Sequence, residues 1–285
     1  MKATLSSILL AGIVMFHTPA LAVVVELATG PNAAAVTPAR DAFRNDLGGG
    51  TVAGANGSFG GLRREINWDG VPDALSAPNN LPANFFNVNS PRGVVFATPG
   101  TGFQVSANAG VVPVEFGNVD PSYPSTFAAF SAQRLFTPLG SNVVDVLFFV
   151  SGTNTPATVA GFGSVFTDVD LAGTTTIEYF SAANTSLGLF PVPATVGSET
   201  LSFLGVVFDG GQRVARVRIT NGNTALGAGV TDQNGALRDL VVMDDFLYSE
   251  PQAIPEPASM LMVTSGLALS AMLRGALRRR ARPQD

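Results

Sequence analysis

The chain has 285 residues, 46% hydrophobic and only 13% charged, with 31 Gly and 19 Pro, which is too apolar for a disordered chain and long enough for one large all-β domain or two ordinary ones. Residues 23–254 hold 10 Arg against 19 Asp and Glu, an acidic body that excludes nucleic acid as the main partner, because phosphate neutralisation needs a basic face. Cys is absent, and the lone Lys2 and lone His17 sit near the N-terminus, so the rest of the chain excludes cysteine nucleophiles, Ser-His-Asp triads, lysine Schiff bases, disulfides and His- or Cys-ligated zinc.

Residues 1–22 have the three parts of a secretory signal peptide: Met1-Lys2, an apolar run from Leu9 to Phe16, and Ala20-Leu21-Ala22 before the expected cut. Export through the Sec machinery and a mature start at Val23 are the expectation. Val23–Leu27 is a short β-prone run. Thr37-Pro38 then reads as the N-cap and first position of a short helix that ends near Leu47, with Gly48 as its stop. Gly48–Gly61 holds seven glycines and reads as a flexible loop or linker, so residues 23–61 are expected to form an N-terminal extension.

Residues 62–250 are expected to be one all-β domain. After a loop-rich stretch, Gly93–Ala97, Gly102–Ser106, Val111–Phe116, Phe127–Phe130 and Val143–Val150 are β-branched or aromatic runs. Val159–Phe166, Thr174–Phe180, Thr200–Phe208, Val214–Thr220 and Asp239–Tyr248 continue the series, separated by Pro, Gly, Asn and Asp. Val143–Val150 is apolar on both faces and should be central or covered on both sides, whereas Arg216 and Arg218 alternate with Val217 and Ile219 and leave one wet face. No periodic helix falls between these strands, which disfavours βαβ folds and leaves a jelly-roll-like β-sandwich ahead of a barrel or propeller.

Asp168-Val169-Asp170 puts two carboxylates on one face of a strand end, since side chains alternate with period two. With Asp209, Asp244 and Asp245, also at strand ends, they offer the hard oxygen ligands that calcium takes in sets of six to eight, making a structural calcium the one cofactor to look for. Alternatively they are separate turn and cap aspartates. The same carboxylates, or Glu115, Glu178 and Glu199, could serve a glycosidase, although no motif selects a pair. Trp68 lies between Asn67 and Asp69, a flat indole with polar neighbours that could stack on a sugar, or else a core anchor. Arg216 and Arg218 could grip an anionic polysaccharide, or form a plain solvated face. The irregular stretch through Asn84-Phe85-Phe86-Asn87 is either functional or a cover over an open sheet face.

At the C-terminus Pro255-Glu256-Pro257 precedes the uncharged run Ala258–Leu273, which, continued to Leu277 with the Arg274 guanidinium reaching toward the headgroups, gives about 30 Å of helix, long enough to span a bilayer at 258–277. Arg278, Arg279 and Arg280 in the tail at 278–285 should stay cytoplasmic and place the acidic body outside. This tripeptide, single apolar span and terminal Arg cluster in residues 251–285 resemble the PEP-CTERM sorting signal of exported proteins. The resemblance implies a Gram-negative, exopolysaccharide-producing host and an exosortase-type transpeptidase that recognises Pro255, Glu256 and Pro257. It also implies tethering to the inner membrane with the body in the periplasm, then release to the cell surface or the extracellular space. Gly161–Asp170 and Met243–Tyr248 resemble segments of uncharacterised secreted β-sandwich proteins, and the Asp-Asp-Phe strand is similar to the last strand of some carbohydrate-binding jelly rolls. Together these readings point to a non-catalytic surface or matrix protein that binds exopolysaccharide. A carboxylate-dependent glycan-cleaving enzyme and a purely structural or adhesive protein are the competing readings.

Overall fold

The computed structural model describes residues 22–108, 114–131, 133–233 and 237–255. Residues 1–21 of the expected signal peptide, the 258–277 span, Glu256, Pro257, Arg278, Arg279 and Arg280 fall outside the described residues. Among those described, no helix is long and apolar enough to cross a membrane.

The chain begins with β1 (Val23–Gly30) and helix α1 (Ala33–Asp46), followed by β2 (Ser58–Phe59), β3 (Arg63–Ile66), the one-turn α2 (Phe85–Val88), β4 (Val94–Ala97) and β5 (Gly102–Val105). Then come β6 (Phe136–Leu139), β7 (Val143–Phe148), β8 (Ala157–Thr158), β9 (Gly161–Thr167) and β10 (Thr176–Phe180). The series closes with β11 (Ser186–Pro191), β12 (Leu201–Phe208), β13 (Arg216–Thr220), β14 (Val242–Ser249) and β15 (Gln252–Ala253). Pairing is antiparallel throughout, as the short turn-linked strands require. The larger sheet runs β1-β12-β9-β14-β3-β2, with the β5–β6 pair joined to β14, and the smaller runs β11-β10-β13-β7-β4. A two-stranded pair, β15-β8, lies apart from both.

The two sheets make an all-β sandwich. Alternation sends Phe162 and Phe166 of β9, Leu204 and Val206 of β12, and Phe246 and Tyr248 of β14 inward. There they meet Val144, Val146 and Phe148 of β7, Ile177 and Tyr179 of β10, and Val217 and Ile219 of β13. The opposite face of the larger sheet, through Val165, Phe203, Val207 and Leu247, packs on Val36, Phe43 and Leu47 of α1. This explains why β9, β12 and β14 are buried along their whole length. A third cluster of Phe116, Tyr123, Phe127, Leu135, Leu226, Leu240 and Val242 fills the space under the long loops.

Several expectations change. β1 is not part of a detached extension: Val23–Gly30 pairs residue for residue with β12, and α1 covers the sheet, so both belong to the sandwich. The helix starts four residues before Thr37, because Asn32 caps it by accepting from the Ala34 N–H at 3.1 Å, and Pro38 is carried inside. Phe127–Phe130 is not a strand; its backbone is drawn into loop contacts instead, and Phe127 is core. Val111 falls outside the described residues, and Glu115 and Phe116 occupy a turn with positive φ. β7 is central in its sheet, between β13 and β4, with its second apolar face only half-covered. β6 and β11 are strands that composition hid, one containing Pro138 and the other an exposed edge broken by Gly188.

Candidate metal centre and polar cleft

β9 ends at Thr167, and the chain turns sharply at Asp168, whose φ of 68° lies in the left-handed region that Asp tolerates better than most residues. Val169 drops into the main core, and the carboxylates on either side of it are brought together with Asp232 of the 221–241 connection. One carboxylate oxygen from each of Asp168, Asp170 and Asp232 lies within 4.8 Å of the others. Asp168 is fully buried, and neither of its oxygens has a hydrogen-bond partner. Burial, then the charges of Asp232, Asp170 and Asp239, push its pKa up to about 9.

The rest of the neighbourhood is well bonded. Asp170 Oδ1 accepts from the Gly197 N–H at 2.7 Å, while its Oδ2 is buried without a partner. Asp239 accepts from the Asp170 N–H at 2.9 Å and from the Thr174 hydroxyl, so it organises the turn. The loop that carries Asp232 is held from below: Asp120 Oδ2 accepts from Gly229 N–H at 2.8 Å, and the Tyr123 hydroxyl reaches the Val230 carbonyl at 2.8 Å. Asp168, Asp170 and Asp232 are therefore the residues that could hold a hard cation.

The expected partners of this cluster lie elsewhere. Asp209 is an exposed residue at the end of β12. Asp244 and Asp245 occupy a β-bulge between Met243 and Phe246, where two successive side chains face the same way. They point outward: Asp244 accepts from the backbone N–H groups of Phe130 at 2.6 Å and Ser131 at 3.1 Å, and Asp245 accepts from the Ser131 hydroxyl at 2.9 Å. Burial raises the pKa of both carboxyls. Their work is to pin the 130–131 loop and, through Arg40 at 3.7 Å from Asp245, helix α1. Sequence reasoning missed Asp232 because a lone Asp in an irregular segment has no periodicity to betray it.

The second feature is a cleft of about 400 Å³ between α1, the glycine-rich segment and β3. Arg40, Arg44, Asn56, Glu65, Asn67 and Arg92 line it, with Asp245 at its base. Its walls are fixed by one buried guanidinium. Arg63 stacks 3.7 Å from the Phe59 ring centroid and donates to the carbonyls of Gly49 at 2.9 Å and Gly50 at 2.8 Å, as well as to Glu65. Burial, with Arg44 and Arg40 nearby, lowers its pKa to about 10, which leaves it charged at neutral pH. The expected flexible linker is thus a pinned wall. Gly57 is required there, since at φ +64° a Cβ would sit 2.3 Å from the Glu65 carbonyl oxygen.

Arg44 clamps Glu65 with both Nε and Nη2, at 2.7 and 2.8 Å, and Arg92 donates to the Glu65 carbonyl at 3.0 Å. Asn67 is exposed on the cleft wall, its amide donating to Asp69 at 3.0 Å. Trp68 is not a sugar platform. It is 1% exposed and stacks on Phe136 at 4.1 Å, with Phe86 and Phe246 edge-on. The irregular stretch around it is a cover: Phe85 and Phe86 of α2 belong to the same core.

Arg216 and Arg218 stand on the wet face of β13 as expected, but both hold Asp145 of β7: Arg218 through two bonds of 2.8 Å, and Arg216 through one of 3.0 Å while stacked over Phe180. They knit three strands together instead of presenting free guanidiniums. Glu178 accepts from Ser186 at 2.8 Å on the same face. Glu115 is pushed up to about 7 by burial and by Glu199, and it lies outside the cleft lining. Pro255, the last described residue, is exposed just after β15.

No family model matches the chain, and no curated protein sequence matches it. Among solved structures, the enzymatically active domain of tailspike protein 4 from bacteriophage CBA120 is similar over 64% of this chain and 21% of that one, with 11% identity and a TM-score of 0.21. The chain thus spans about a fifth of that structure, a likeness too distant to carry over either fold or activity.

Proposed function

We propose that the chain is an exported surface or extracellular-matrix protein. On this reading it is a jelly-roll-like sandwich that binds acidic exopolysaccharide in the cleft beside α1, without catalysis of its own. Its C-terminal signal would hold it to the inner membrane until exosortase processing.

The observation that carries the reading is the cleft's charge. Three arginines against two carboxylates line it, on a body where acids outnumber arginines almost two to one. Guanidiniums fixed by neighbours, an exposed amide and a cavity in the range of small-ligand sites suit a uronate-bearing sugar, whose carboxylate pairs with Arg and whose hydroxyls take the amide.

The test is co-sedimentation of the purified full chain with the host's exopolysaccharide, together with an assay for released reducing ends. Binding that weakens with salt is expected, with Asn67→Ala and Arg40→Gln each lowering affinity about fivefold to tenfold, the worth of one hydrogen bond. Unchanged affinity in both variants removes the cleft from the proposal. Release of reducing ends supports the glycan-cleaving alternative. Neither binding nor release leaves a structural or adhesive protein.

A further inference from the structure

We propose that Asp168, Asp170 and Asp232 bind one calcium ion that ties the end of β9 to the loop carrying Asp232 and closes that end of the sandwich. The inference is independent of the glycan reading, and it redraws the sequence-based ligand set by leaving out Asp209, Asp244 and Asp245 and adding Asp232.

Two observations carry it. The first is convergence: three carboxylates from two distant parts of the chain place oxygens within 4.8 Å of one another, an arrangement whose like charges a bound cation or a proton must relieve. The second is the state of Asp168, fully buried with both oxygens lacking partners, while Asp170 Oδ2 is buried and equally unpartnered. Buried polar groups in folded proteins are nearly always bonded, and these are the strongest acceptors the chain has. Among the described residues no ion pair involves Asp168 or Asp170. A proton on one carboxyl would satisfy one oxygen and neutralise one charge. A divalent cation would take an oxygen from each of the three and neutralise two.

The donor set selects the cation. Only oxygen is on offer, and beyond residue 22 the chain has neither His nor Cys, so metals that seek imidazole or thiolate have nothing to hold. Magnesium demands a near-ideal octahedron and keeps its waters. Calcium accepts irregular sets of carboxylates on loops, and export would place the chain where calcium is plentiful.

The experiment is a thermal melt and a calorimetric titration of the full chain, stripped with EGTA and then given calcium or magnesium chloride. Calcium at ~10 mM, about tenfold above the weakest extracellular calcium modules, should raise Tm by about 5 °C, and magnesium should do much less. Asp168→Asn is the decisive variant, because it keeps the shape and removes one charge. It should melt above the wild type when both are stripped, and should lose the calcium response and the binding heat. Asp209→Asn, outside the cluster, should respond as the wild type does. No binding heat and an unchanged wild-type Tm would overturn the proposal. So would Asp168→Asn stabilising a protein that ignores calcium, since that result means a shared proton holds the cluster. An intact calcium response in Asp168→Asn would place the metal elsewhere and overturn it equally.

Discussion

The Asp69 carboxyl follows Trp68 in the chain, with Oδ1 buried and Oδ2 accepting from Asn67 at 3.0 Å. Burial, and then the charge of Asp245, raise its pKa from 3.8 to about 6, against partial relief from the Arg134 backbone and side chain. Between those two values the folded chain holds a proton that the unfolded chain has released, so stability falls as pH rises through the window, and the whole cost is present above pH 6. Asp69→Asn should therefore gain in Tm relative to wild type as pH goes from 4 to 6 and hold that gain at 7. Paired melts across the range check it, and a difference that stays flat with pH would show Asp69 to be ionised at no cost. Trp68 next door shows what residue type alone leaves open. Flanking Asn67 and Asp69 gave it the look of a sugar platform, and residue type left the core-anchor reading equally open. Strand alternation could not decide, because β3 ends at Ile66 and Trp68 lies beyond it with a positive φ, its ring stacked on Phe136.

Helix α1 meets the larger sheet at a place made flat for it. Gly163 of β9 and Gly205 of β12 are cross-strand neighbours, and the Phe43 ring lies on both: a Cβ on Gly205 would sit 2.6 Å from the ring, and one on Gly163 2.8 Å. Glycine in a central strand is a poor choice unless something must approach closely, and here a phenyl ring does. Gly205→Ala should lift the helix and cost about 1–3 kcal/mol, while Phe43→Ala should cost about 3–5 kcal/mol through the cavity it leaves. In the double variant the new methyl enters the space the ring vacated, so the combined cost should fall well below the sum. Urea unfolding of the three variants tests this, and strict additivity would mean that ring and glycine do not meet. At this scale the strong strands were readable, because β7, β9, β10, β12 and β14 are long β-branched or aromatic runs. Their partners in space were not. β1 joins β12 across more than 170 residues of sequence, and the glycine-rich segment looked loose because its restraint comes from Arg63, fourteen residues from Gly49.

Taken as a whole molecule, the fold gathers five of its arginines to one side. Arg40, Arg44, Arg63, Arg64 and Arg92 converge around α1, β3 and the cleft, where Asp41, Glu65, Asp245 and Glu250 pair with four of them, while the opposite sheet holds Arg216 and Arg218 on Asp145. The acidic total was legible in the sequence but this gathering was not, since the arginines meet only when α1 and β3 come together. The C-terminal end has its own logic. β15 is the last element, held to β8 by the pairs Gln252↔Thr158 and Ala253↔Ala157, and Pro255 follows it exposed. An enzyme that recognises Pro255-Glu256-Pro257 would find the start of its motif immediately outside the last backbone pairing, so a cut there need not open the sandwich. If that tripeptide is the proposed sorting handle, replacing Pro255 and Glu256 with Ala should leave full-length precursor in the host membrane while the melting temperature of the sandwich stays unchanged. Immunoblots of membrane and external fractions, with the melt as the control for folding, separate the two effects. Normal processing of the double variant would remove the sorting assignment, and with it the argument for a surface destination. The cleft and the aspartate cluster would remain, because their chemistry depends on residues that lie wholly within the sandwich and its loops.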